Sequence, residues 1–168
     1  MNNKIPLLLS IIIFCLLCNY KKENMYSKNI NNDKIYICMT TIPERLKHPW
    51  FYGNIKYLLS LGDHYSILIS IPYHLKRKNE KYVIPQKLYD LSKNSNNRLI
   101  LYRIKNDYGP LTKLYGPLLN DDISDNSALL ICDDDIHYLP KFVDTIYDEY
   151  IKDTSKMYNY CNNSIQGY

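Results

Sequence analysis

Four short apolar runs, each followed by a turn signal or a stretch of helical spacing, constrain this chain more than any other feature. Residues 34–39, 65–71, 99–104 and 128–132 are rich in β-branched and aromatic side chains and read as strands. Between them, 50–61 carries apolar residues at Phe51, Ile55, Leu58 and Leu59, a helical spacing. A short helix is predicted at 85–93, opening on a proline. Another is expected over 110–119, interrupted near Gly116-Pro117, and an amphipathic one over 142–151. The charged stretch 74–81 reads as a loop. Strand–helix alternation of this kind predicts an α/β domain with a parallel sheet between helices. Uninterrupted apolar strands such as Ala128-Leu129-Leu130-Ile131 suit a sheet buried on both faces.

At 168 residues the chain holds one domain with a real core, not two. Net charge is +4, with the basic residues scattered, so no basic field argues for nucleic acid. Tyrosine is abundant at 18, but Tyr suits half-buried sheet positions and gives no evidence of base stacking by itself.

The N-terminus sets further expectations. Residues 5–18, IPLLLSIIIFCLLC, follow Lys4 and precede Lys21-Lys22. The run is shorter than a typical bilayer span, and its basic start suits a secretory signal peptide or a short signal anchor over 1–20. That predicts membrane association, or secretion if the segment is cleaved. Residues 21–32 read as a linker, 33–155 as the folded domain and 156–168 as a polar tail. Cys15 and Cys18 form a C-x-x-C inside the apolar run, where thiols act as small hydrophobes. Cys38 and Cys132 fall in strands expected to be buried. Asn162-Asn163-Ser164 is a glycosylation sequon, usable only in the secretory lumen.

The chemistry concentrates at Asp133-Asp134-Asp135, directly after the fourth strand. Open α/β sheets bind ligands outside the carboxyl ends of their strands. Three adjacent carboxylates repel one another unless a positive charge offsets them, and a divalent cation is the usual solution. Hard oxygen ligands select Mg²⁺ or Mn²⁺. Alternate residues of an extended segment face the same way, so Asp133 and Asp135 could share one metal. The plainer reading is a solvated acidic loop. That reading suffices for Asp121-Asp122, which follows a helix and precedes polar residues.

Three segments in order, TTIPER (40–45), DYGPLTK (107–113) and ICDDDIHYLP (131–140), together resemble the nucleotide-sugar-binding half of GT-A-fold glycosyltransferases that carry DYGPxTK before a DxD motif. The resemblance covers roughly residues 34–150. It implies a Rossmann-like sheet with flanking helices, a nucleoside-diphosphate sugar donor, an unknown acceptor, and Mn²⁺ or Mg²⁺. Carried over by motif, Asp133 and Asp135 would ligate the metal, and Asp133 and Asp134 would contact the nucleotide sugar. Thr41 and Arg45, on the loop after strand one, would face the nucleotide, with Arg45 using its planar fork. Asp107, Gly109 and Lys113 would line the same edge. There a Gly-Pro turn into a helix start would offer N–H groups to anions, and Lys113 a point charge. The plainer readings are a surface ion pair for Arg45 and a solvated helix lysine for Lys113. Tyr108 would pack beside the nucleotide or simply on the surface. His137 is left outside the site.

Members of that fold carry a second half with acceptor-binding residues and, in inverting enzymes, a general base. The 33 residues after Asp135 show one helix and a polar tail, with no further strand pattern. The expectation is a donor-binding half, incomplete at the C-terminus, with a catalytic residue unassigned. Two alternatives stand beside it: a non-catalytic nucleotide-binding or interaction module, and a Mg²⁺-dependent phosphatase or nucleotidyltransferase.

Overall fold

The computed structural model describes residues 34–161 and 164–167. The expected signal or anchor (1–20), the linker (21–32) and the Asn162-Asn163 part of the sequon lie outside the described residues. Among the described residues, no helix is long and apolar enough to cross a membrane.

β1 (Ile35–Thr40) runs parallel to β2 (Tyr65–Pro72) on one side and to β6 (Ala128–Ile131) on the other. β5 (Leu99–Ile104) pairs parallel with the outer edge of β2. The sheet order is therefore β5-β2-β1-β6, an α/β arrangement of Rossmann-like strand order. The order reverses at β1: the chain moves first to β2 and β5, then returns to place β6 on the opposite side. The strand ends at such a reversal leave a crevice, and the acidic run leaves β6 there.

Alternation along β1 divides the core. Ile35, Ile37 and Met39 join Ile67, Ile69 and Ile71 on one face. That face is packed by Leu46 from α1 (Pro43–Lys47), by Phe51, Ile55 and Leu58 from α2 (Pro49–Ser60), and by Leu88 from α3 (Gln86–Lys93). Tyr36, Cys38 and Leu68 form a smaller cluster with the opposite side chains. Cys38 and Cys132 are both buried free thiols, placed in different clusters. At the amino ends of the strands, Arg98 donates to the carbonyls of Leu59 (3.1 Å) and Tyr65 (3.2 Å), and also to that of Gly62.

Four expectations need correction. Residues after β1 are not all loop: Pro43 ends the strand and also opens α1 at its first turn, so Arg45 sits on a helix. The 74–81 stretch is an antiparallel hairpin of β3 (His74–Leu75) and β4 (Glu80–Lys81), with Leu75 buried and Asn79 in the left-handed region at φ +49°. Asparagine tolerates that conformation, which the charge run concealed. α4 (Thr112–Leu118) passes through Gly116-Pro117 without a break, with Pro117 inside it at the loss of that residue's own N–H bond. Gly116 is there for packing, since a β-carbon would lie 1.7 Å from Ser70 Oγ on β2. β6 is an edge strand, so Leu129 and Leu130 are only half-buried and Ile131 is exposed.

One compact unit comprises Asp33–Asp148. It contains most of α5 (Phe142–Tyr150). In the remaining segment, where no strand pattern was evident, β7 (Tyr158–Cys161) and β8 (Ser164–Gly167) pair as an antiparallel hairpin.

Candidate functional site

A cleft of about 810 Å³ opens at the carboxyl ends of the strands. Thr41, Arg45, Asp107, Gly109, Lys113, Asp133, Asp134 and Asp135 all line it. Residues from three separate segments thus meet at the reversal of strand order. The cleft also takes Lys76, Arg77 and Tyr82, from the hairpin region that the sequence presented as a loop. Their signal was the basic run Lys76-Arg77-Lys78 placed soon after the carboxyl end of β2.

Each acid in the trio has a different surrounding. Cys132 still bonds to β1, its N–H donating to the Cys38 carbonyl at 2.9 Å, but the chain turns at Asp134-Asp135. The alternation expected for Asp133 and Asp135 therefore does not continue through the trio. Asp133 is exposed and pairs with the Lys113 ammonium. Asp134 is buried at 4% exposure and forms an ion pair with Arg45 Nη1 at 2.9 Å. Asp135 is exposed and accepts from the same nitrogen at 2.5 Å. The mutual repulsion of the acids is thus offset by the chain's own Arg45 and Lys113, so it does not in itself require a metal.

Burial pushes the Asp134 carboxyl above the usual carboxylate range, against the lowering influence of the Thr41 hydroxyl and Arg45. That hydroxyl falls short of full hydrogen-bond geometry. Thr41 Oγ1, Arg45 Nε and Asp134 Oδ2 are all buried without a hydrogen-bond partner. Buried polar atoms are normally satisfied, so three orphans behind one cleft wall mark the part of it that the fold leaves incomplete.

The backbone of the acidic turn is held by other groups. Asn54 Nδ2, from α2, donates to the carbonyls of Ile136 (3.2 Å) and Asp134 (3.5 Å). Tyr138 Oη accepts from the Asp133 N–H at 2.8 Å. On the β1 side, Tyr82 Oη donates to the Thr41 carbonyl at 2.9 Å, and burial pushes the phenol up to about 12.

Asp107 lines the cleft, and its carboxylate also organises the surrounding backbone. One Asp107 oxygen accepts from the Gly109 N–H and the other from the Lys76 N–H, both at 2.8 Å. Asp107 thus joins the DYGPLTK loop to the hairpin. Gly109 adopts φ +60°, where glycine avoids the strain of a side chain. Thr112 is fully buried and accepts from the Tyr108 N–H at 3.0 Å. With Pro110 lacking an N–H, the turn offers few free donors to an anion. Tyr108 stacks on Tyr115 at 4.6 Å, and His137 stacks on Tyr57 at 4.2 Å.

Among the described residues, no group of three or more His, Cys, Asp or Glu side chains is placed to hold a metal. Asp133 and Asp135 nevertheless stand on the cleft with side chains 55% and 57% exposed. Two accessible hard-oxygen donors fit a cation of the Mg²⁺ or Mn²⁺ type, which ordinarily fills its shell with substrate phosphate and water. No family model, curated protein or solved structure matches this chain.

Proposed function

We propose that the cleft binds a nucleoside-diphosphate sugar, as the donor half of a GT-A-fold glycosyltransferase does, for transfer of the glycosyl group to an acceptor hydroxyl. The observation that carries this reading is the convergence of TTIPER, DYGPLTK and the acidic run on one cleft at the strand reversal. Asp133 and Asp135 would hold Mn²⁺ or Mg²⁺ together with the ligand's phosphates. When bound, the cation would supply charge neutralisation to the departing diphosphate. Arg45 keeps Asp134 and Asp135 in place, and Thr41 and Asp134 offer a donor and an acceptor to ribose or base. Calorimetry with UDP and with GDP in the presence of Mn²⁺ tests the proposal. Saturable binding of one of them, weakened at least tenfold in Asp133→Asn and Asp135→Asn, is expected; failure of both nucleotides to bind ends it.

A binding module without turnover is the second reading. It draws on the four cleft carboxylates: Asp133 and Asp135 are ion-paired, Asp107 is held by backbone N–H groups, and Asp134, which has an unpartnered oxygen, is buried. Nucleotide binding with Mn²⁺, combined with no hydrolysis or transfer from a panel of UDP- and GDP-sugars, selects it.

A further inference from the structure

We infer that the β3–β4 hairpin, through Lys76 and Arg77, holds the phosphate-bearing part of the ligand. The sequence pointed instead to Lys113 and the helix start. Four cations line the cleft: Arg45, Lys76, Arg77 and Lys113. Arg45 is engaged by Asp134 and Asp135, and Lys113 by Asp133. Lys76 and Arg77 have no ion-pair partner among the described residues. The neighbouring Lys78 is turned to Glu44 and does not line the cleft.

Of the acids that line the cleft, Asp107 stands beside the hairpin, and each of its oxygens accepts from a backbone N–H; off the cleft, Glu44 pairs with Lys78 and also feels the charge of Arg77, and Glu80 of β4 pairs with Lys47. One N–H on Asp107 is that of Lys76, so the same carboxylate that could have competed with a phosphate fixes the hairpin at the cleft instead. Tyr82 performs the matching task on the other side, through the Thr41 carbonyl. Two cations without an ion pair are therefore held on the lining of the cleft, on a segment tied to it from both sides. Compact ammonium and planar guanidinium groups at adjacent positions suit the several oxygens of a diphosphate.

The inference relies on the donor-site reading for the ligand's identity, but the phosphate contact can be tested without nucleotide or metal. Inorganic pyrophosphate is titrated calorimetrically into the full chain in chelator at low salt. The Lys76→Gln/Arg77→Gln double variant is expected to lose about tenfold or more in affinity, the size of one to two charge-assisted hydrogen bonds. Lys78→Gln should stay within about twofold of the parent, given its engagement by Glu44. Circular dichroism checks that these exposed substitutions leave the fold intact. A larger loss in Lys113→Gln than in the double variant overturns the inference, as does a failure of the parent to bind pyrophosphate. Nucleotide binding with Mn²⁺ that is unchanged in the double variant also overturns it, while leaving the donor site standing. Pyrophosphate binding at the hairpin without any nucleotide binding would do the reverse.

Discussion

Arg98 and Arg45 sit at opposite ends of the same sheet and are used in opposite ways. At the amino ends, Arg98 directs its guanidinium nitrogens at three backbone carbonyls of the α2–β2 connection. At the carboxyl ends, Arg45 meets two carboxylates through one nitrogen, and its Nε is buried without a partner. One arginine is tied to the backbone through all three of its nitrogens; the other retains donor capacity in a cleft. The contrast separates a cation that closes a structure from one that keeps a site charged.

The largest effect on this contrast should come from Arg98→Met. It leaves several carbonyls without their donor and should cost about 2–4 kcal/mol in urea denaturation. Nucleotide affinity per folded molecule should stay within twofold. If affinity falls in step with stability, the two ends of the sheet are not independent. Gly116→Ala should follow at about 1–3 kcal/mol, because the new methyl meets Ser70. Ser70→Gly in the same chain should recover most of that loss, showing that α4 is seated on β2 at this point.

Arg45→Met should reverse the pattern seen for Arg98. It is expected to weaken nucleotide binding about tenfold or more and to cost stability by a smaller margin of about 1–2 kcal/mol. A stability loss larger than that of Arg98→Met would remove the distinction. The finest test concerns Asp134, whose carboxyl is raised by burial. A carboxyl with a raised folded pKa is penalised when ionised, so its contribution worsens as pH rises from the ordinary carboxylate range through the folded value. The stability of Asp134→Asn relative to the parent should therefore increase from pH 4 to pH 7, read from urea midpoints. An advantage that shrinks over that interval would mean Arg45 fully offsets the burial.

Much of this was legible in the sequence because apolar periodicity and proline placement are local signals. The four parallel strands, α2 and α3 all lie within a residue or two of where spacing and turn residues put them. Sheet order was not legible, since nothing local states that β6 pairs with β1 and leaves one face of Ile131 in solvent. The hairpin is hidden because a single apolar Leu75 is outweighed by five charged residues, Lys76, Arg77, Lys78, Glu80 and Lys81. At the site, the eight residues assigned by motif line the cleft while Tyr108 stacks on Tyr115 instead, and several roles were unreadable. Whether an aspartate meets a ligand or a backbone N–H depends on loop conformation: Asp107 is consumed internally, and Lys113 and Asp133 face each other. Adjacent residues in sequence do not announce which of them the turn will bury, and here it is Asp134.

Asn54 and Tyr138 fasten the acidic turn by its main chain, through the carbonyls of Asp134 and Ile136 and the N–H of Asp133. Neither needs the carboxylates to do so. The trio therefore behaves as an interchangeable cartridge on a fixed mount. Its charges at the exposed positions 133 and 135 can be rewritten to asparagine or serine without relocating the peptide that presents them, so a protein engineer could change the charge of this edge while keeping its shape.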